Sequence, residues 1–161
     1  MQRHIRISIW SVIVITGAVA LTAILGSLFT SGNRDWYERL SYPSFKPPDW
    51  VIPIAWNIIF LCSIIALILV WNTRPHSSTT RWVVWAAVLN ATVNIAWSAL
   101  FFGNRLILPA VFDSALLFLT TVALIVLAWP INRIAAVLFI PYAAWVAFAT
   151  VLTWGIWVLN R

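Results

Sequence analysis

Five continuous apolar stretches divide the chain, over residues 5–29, 50–71, 82–102, 106–129 and 134–159. A bilayer-crossing helix takes about 20 apolar residues, and each stretch reaches that length. Apolar residues follow one another without the period-2 alternation of a strand, and a barrel strand would be about half as long. The pattern predicts an all-α integral membrane protein, one domain over residues 1–161, built as a five-transmembrane-helix bundle. Arg3 and Arg6 precede the first stretch, as they would in a secretion signal. Its apolar core is longer than the roughly 7–15 residues of a signal and no small-residue cleavage site stands out, so it is read as the first helix.

Polar, Gly and Pro residues punctuate the stretches. Ser31-Gly32-Asn33-Arg34-Asp35 ends the first. Asn72-Thr73-Arg74-Pro75 and the following residues to Arg81 part the second from the third. Gly103-Asn104-Arg105 turns the third into the fourth, and Pro130-Ile131-Asn132-Arg133 joins the fourth to the fifth. Short links favour antiparallel neighbours, so spans 2–3, 3–4 and 4–5 should pack side by side. Trp36, Trp50, Trp71, Trp82, Trp129 and Trp157 stand at or near span ends, where an aromatic belt would place them. An odd number of spans puts the termini on opposite sides. Arg3, Arg6, Arg74, Arg81 and Arg133 fall on one side, and Arg34, Arg39, Lys46, Arg105 and Arg161 on the other, so the basic-residue bias leaves orientation undecided.

Composition agrees. Hydrophobic residues make up 63% of the chain and charged residues 9%, against about 25% charged in a soluble domain. Too few charges remain to coat a soluble monomer. Cys62 is the only cysteine, so no internal disulfide forms. The net charge of +6 is spread out, with no basic run that would track nucleic acid. Beside a bilayer these charges read as anchors to anionic head groups.

The 30–49 segment between the first two spans carries Trp36, Tyr37, Tyr42 and Phe45 together with Pro43, Pro47 and Pro48. Prolines stiffen it. Such a loop reads either as a lid on a pocket or as an interfacial segment with aromatic anchors. At 100° per residue, Asn90, Asn94, Trp97, Ser98 and Phe101 share one face of the third span. Tyr142, Trp145, Ala149, Leu152, Thr153 and Ile156 form a stripe on the fifth, and Trp56, Phe60 and Ser63 align on the second. Asn90 and Asn94 should face the interior, as pocket lining or as interhelical ties. Asp113, the one acid inside a span, reads as a partner of Arg105 or as a proton or ligand site. Pro109 and Pro141 should kink the fourth and fifth helices or free carbonyls there. Ala87-x-x-x-Ala91 reads as internal packing or as the seam of a homodimer. No hydrolytic triad, metal-ligand cluster or phosphate loop is present.

Three blocks give the sequence a resemblance. Trp36-Tyr37-x-x-Leu40-x-x-Pro43-x-Phe45-x-Pro47-Pro48-x-Trp50-Val51 is followed by Trp56-Asn57-x-x-Phe60. The second block is Asn94-x-x-Trp97-Ser98-x-x-Phe101-Phe102-Gly103, and the third Pro141-Tyr142-x-x-Trp145-x-x-Phe148-Ala149-Thr150. In order and spacing, from about Gly26 to Asn160, the chain resembles the TspO/MBR family of tryptophan-rich sensory and translocator proteins. It departs from the usual pattern at Phe60, where Tyr is common, at Thr153, where Asn is common, and at Tyr42, where Lys is frequent. No Tyr follows Leu152, so the sterol motif proposed for animal members is missing.

The resemblance implies a binder of porphyrin-type tetrapyrroles or other flat lipophilic molecules, acting as sensor, regulator or translocator, in a membrane for which a bacterial cell membrane is preferred. The ligand residues it implies are Tyr37, Pro47, Trp56, Phe60, Asn94, Trp97, Tyr142, Trp145 and Ala149. Arg34, Arg39 and Lys46 would meet peripheral carboxylates. No cofactor is obligatory, and porphyrin or haem is the expected ligand. His4 and His76 lie outside the spans, Met1 is terminal, Cys62 lies off the aromatic stripe, and Tyr37 and Tyr142 are poor axial ligands. That favours a metal-free porphyrin, or haem held by stacking. Members credited with light-dependent porphyrin breakdown would make Trp56 and Trp145 the photochemical residues. Sterol transport and a scaffold role stand as alternatives.

Overall fold

The computed structural model describes residues 7–161, so Met1, Arg3, His4, Ile5 and Arg6 lie outside the described residues. The described chain is helical, without strands, and five helical segments are long and apolar enough to cross a membrane. The first is α1, Ile9–Ser31. A short α2, Arg34–Glu38, and an irregular 39–50 loop lead to α3, Val51–Thr73. The third crossing is α4, Ser78–Ser98, continued by a π-helical turn over Ala99–Gly103. α5 spans Ile107–Ala128. The fifth crossing is broken into α6, Arg133–Leu138, and α7, Ile140–Leu159.

Local chemistry sets these boundaries. Ser77 caps α4 by accepting from the Thr80 N–H at 3.0 Å, and Asn132 caps α6 by accepting from the Ala135 N–H at 3.1 Å. Pro141 falls in the first turn of α7, directly after the break at Phe139, so the fifth crossing is interrupted there. Pro109 falls in the first turn of α5, where an amide hydrogen has no helical partner in any case. It therefore starts that helix rather than kinking it. The π turn ends on Gly103. Asn104 N–H donates to Ala99 O and Leu106 N–H to Leu100 O, both at 2.8 Å, and Arg105 takes a left-handed backbone with φ 58°.

The helices form a ring in the order α1, α4, α5, α7, α3, with α6 wedged between α3 and α5. The third and fourth spans are neighbours, as are the fourth and fifth. The second and third are not paired side by side: α1 packs against both α3 and α4. A polar tie reinforces the α1–α3 contact. The Asn72 carboxamide at the end of α3 accepts from Ser8 N–H at 2.8 Å and donates to Ser11 Oγ at 2.9 Å, which fastens the start of α1 to α3.

Two apolar clusters fill the ring. One holds Ile59, Ala66, Val70, Val83, Leu117, Leu124, Phe139 and Val146. The other is an aromatic plug around Phe101 and Phe102, joined by Trp36, Tyr37, Tyr42 and Trp97. Outer faces are apolar and exposed, as helices in lipid require. Trp10, Trp50, Trp82, Trp85 and Trp129 are exposed there. Arg133 lies over Trp129 and Arg161 over Trp157, at 5.9 and 5.5 Å, each pairing an anchor ring with a cation.

Candidate functional site

A polar network crosses the middle of the ring. Asn90 on α4 donates through Nδ2 to Thr120 Oγ1 at 2.9 Å and Thr121 Oγ1 at 3.0 Å on α5. The Tyr142 hydroxyl on α7 donates to Asn90 Oδ1 at 3.0 Å and accepts from Asn94 Nδ2 at 3.1 Å. Both threonine hydroxyls pass their protons on to Leu117 O. In hydrocarbon each of these groups needs a partner, and together they tie α4 to α5 and α7. The same two asparagines line an internal cavity of about 50 Å³, with Thr22 of α1, Phe60 and Ser63 of α3 and Tyr142 of α7. A cavity of that volume takes a few waters at most; ligand pockets run to about 300–1,000 Å³. Ala87 and Ala91 line it too. Both are half-buried.

Aromatic side chains flank the seam between α3 and α7, which meet directly over only a short stretch. From α3, Trp56 lies 5.5 Å from Phe60 and 6.0 Å from the Tyr142 ring, edge-on to the latter. From α7, Trp145 lies 5.7 Å from Phe148, and Ala149 is half-buried beside them. Phe45 of the loop meets Phe148 edge-on at 6.3 Å. Pro47, half-buried, follows in the same loop. Tyr37 and Trp97 sit elsewhere, in the plug: Trp97 stacks on Phe101 at 5.1 Å with planes 9° apart, and Tyr37 packs on Phe101 and Phe102.

The loop is fastened down. Ser41 N–H donates to Asn160 Oδ1 at 3.0 Å, and Asn160 Nδ2 donates back to Ser41 O at 2.9 Å. A Cβ on Gly155 would stand 2.6 Å from Pro43 Cγ, so Pro43 rests directly on the backbone of α7. The Tyr42 hydroxyl donates to Tyr37 O, and Lys46 Nζ donates to Asp49 while lying 4.3 Å over the Tyr42 ring. Burial pushes the Tyr37 and Tyr42 phenols above their ordinary value. Burial lowers the Lys46 pKa, but the hydrogen bond to Asp49 and the nearby Tyr37 outweigh it and the net shift is upward. Of the loop cations, Lys46 is thus held by Asp49, and Arg34 pairs with Glu38 at 2.9 Å in the open. Arg39 is exposed with no carboxylate partner among the described residues.

Asp113 does not meet Arg105. The left-handed backbone of Arg105 turns its guanidinium toward Asn33 Oδ1, at 3.4 Å, and over the Trp36 ring, at 5.8 Å. Asp113 Oδ2 and Trp97 Nε1 are buried without hydrogen-bond partners. Sequence reasoning missed Ser41, Gly155 and Asn160. Asn160 ends the last apolar stretch and Gly155 interrupts an apolar helix, and each of these was a readable signal. Among the described residues no cluster of three or more His, Cys, Asp or Glu could hold a metal ion.

Comparison with known proteins matches residues 11–158 to the TspO/MBR family. Protein CrtK of Rhodobacter capsulatus is 30% identical over 145 residues, 89% of this chain and 88% of that protein. Tryptophan-rich protein TspO of Bacillus cereus is 32% identical over 80% of this chain and 82% of its own. The human translocator protein is 32% identical over 91% of this chain and 88% of its own.

Proposed function

The chain belongs to the TspO/MBR family of multi-pass membrane proteins, and from that premise we propose that it binds a flat tetrapyrrole of the porphyrin type between α3 and α7, beneath the 39–50 loop. One observation carries this reading: Trp56 of α3 meets Tyr142 of α7 edge-on at 6.0 Å, and Trp56 and Trp145 pack against the same apolar cluster, where α3 and α7 touch over only a short stretch. Planar conjugated molecules stack on such walls, and indole N–H groups add donors without charge. The loop supplies Phe45 against Phe148 of α7, and the exposed Arg39 at its start would meet a peripheral carboxylate. The Tyr142 hydroxyl is engaged by Asn90 and Asn94, which favours a metal-free ligand over an axially bound haem. The 50 Å³ cavity is far too small for a porphyrin, so binding separates α3 from α7 and lifts the loop.

Quenching of tryptophan fluorescence by protoporphyrin, with purified protein in lipid nanodiscs, tests the proposal. Trp56→Ala combined with Trp145→Ala should weaken binding at least about tenfold, the loss of about 1.4 kcal/mol of stacking. Trp82→Ala with Trp85→Ala removes two exposed indoles and should leave affinity unchanged. Equal affinity in all three proteins would reject the site.

A further inference from the structure

Among the described residues, two buried side-chain atoms have no hydrogen-bond partner: Trp97 Nε1 on α4 and Asp113 Oδ2 on α5. Leaving either unpaired is costly, so each calls for a physical account. Their places in the fold are linked. Asn90 of α4 donates to Thr120 of α5 at 2.9 Å, which sets the register of this antiparallel pair. Trp97 follows Asn90 by seven residues, and Asp113 precedes Thr120 by seven. Seven residues are nearly two turns, so Asn90 and Trp97 share a face of α4 within about 20°, and Thr120 and Asp113 share a face of α5 as closely. The same step of about 10 Å along both helices brings Trp97 level with Asp113, on the two faces that meet at Asn90 and Thr120. Packing agrees: Trp97 lies against the cluster that holds the fully buried Ala110, one turn before Asp113 on α5.

We propose that Trp97 and Asp113 form a second polar site, at the α4–α5 seam, which takes one hydroxyl group. The indole N–H only donates, so the occupant must accept from it. A cation cannot accept, and an anion is repelled by a carboxylate. A hydroxyl oxygen accepts from the indole and either donates to a carboxylate or accepts from a carboxyl, so it suits Asp113 in both protonation states. Nearby polar groups are engaged elsewhere: Ser114 Oγ donates to Val111 O at 2.8 Å, and the Arg105 guanidinium reaches Asn33. Asp113 is half-buried beside the exposed Phe112 and Leu116, so the site borders the lipid-facing surface of α5. It also lies only about 9 Å along α5 from the turn that joins α4 to α5. Water from that turn and a lipophilic alcohol from the bilayer both have a route to it. The site is separate from the α3/α7 seam and does not depend on the porphyrin reading.

NMR of the protein with 15N-labelled indoles, in nanodiscs of deuterated lipid, tests the proposal. The Trp97 resonance is assigned by its loss in Trp97→Phe, which keeps a ring against Phe101. In the unsubstituted protein the Trp97 indole proton should show a magnetisation-transfer contact to water, and 1-octanol is then titrated in. A water contact that persists identifies water as the occupant. A contact that passes to the octanol hydroxymethyl protons, with a saturating shift of the indole resonance, identifies a membrane-borne alcohol. Either result supports the site. Asp113→Leu should abolish the contact. Asp113→Asn, close in shape and still an acceptor, should fold, keep the contact and move the Trp97 resonance while leaving that of the exposed Trp154 in place. A Trp97 resonance unmoved in Asp113→Asn overturns the proposal, as does a contact that survives Asp113→Leu. Contact with neither water nor octanol in the unsubstituted protein overturns it too, because the indole and the carboxyl group would then be bonded directly to each other.

Discussion

A phenol in the middle of a membrane is an expensive residue unless its oxygen is both giving and receiving. Tyr142 does both, to Asn90 Oδ1 and from Asn94 Nδ2. Tyr142→Phe removes the oxygen but keeps the ring against Trp56. It leaves Asn94 Nδ2 without its partner and Asn90 Oδ1 without its donor. Interhelical hydrogen bonds in membranes contribute about 1 kcal/mol each, so the variant should lose about 1–2 kcal/mol of stability. Thermal unfolding in nanodiscs checks this; an unchanged midpoint would mean that water in the cavity replaces the hydroxyl. That Asn90 and Asn94 face inward was legible in the sequence, because amides cannot stay in lipid unpaired. Their partners were not legible: Thr120, Thr121 and Tyr142 come from other helices, and periodicity gives a face but no neighbour. Asp113 shows the same limit, since the guanidinium expected to meet it lies instead against Asn33 and Trp36, which come from the end of the first crossing.

At the scale of elements, the helices could be read from length and hydropathy, whereas the π turn and the α6/α7 break depend on hydrogen bonds that no apolar pattern encodes. The loop between α2 and α3 lay open between two readings, and its ties to α7 are what separate it from a free interfacial segment. Its docking should depend on pH in one direction only. Lys46 titrates above its ordinary 10.5 when docked, so its contribution is complete below that value and lost as pH rises through the raised one. The Tyr37 and Tyr42 phenols, also raised, favour the neutral form when docked. In the free loop they ionise near their ordinary 10.0, which pulls the loop away from α7 above that pH. Both effects weaken docking in alkali and neither acts near neutrality. A spin label at the exposed Ser44, in a Cys62→Ala background, should keep constant mobility from neutral pH to about pH 9.5 and become more mobile above it. Mobility that changes between pH 6 and 8 would place control of the loop in some other group.

For the molecule as a whole, the ring is closed, with a small, mostly apolar cavity, an aromatic plug and a fastened loop. A bundle that binds something much larger than its resting cavity must hold an open state within reach. The energy difference between the two is then tunable from inside. Ser63 and Ala91 both line the cavity. Ser63→Val and Ala91→Val together add apolar volume where packing is incomplete, and each added methyl in a void contributes up to about 1 kcal/mol. The filled protein should unfold at a higher temperature than the parent. It should also bind protoporphyrin more weakly, because the added stability belongs to the closed ring alone and is lost when α3 parts from α7. Stability and affinity therefore move in opposite directions in this variant, whereas in Trp56→Ala with Trp145→Ala affinity falls without any gain in stability. A filled cavity that raised the unfolding temperature and left binding untouched would show that the ligand never enters the ring, and would move the site to its outer, lipid-facing surface.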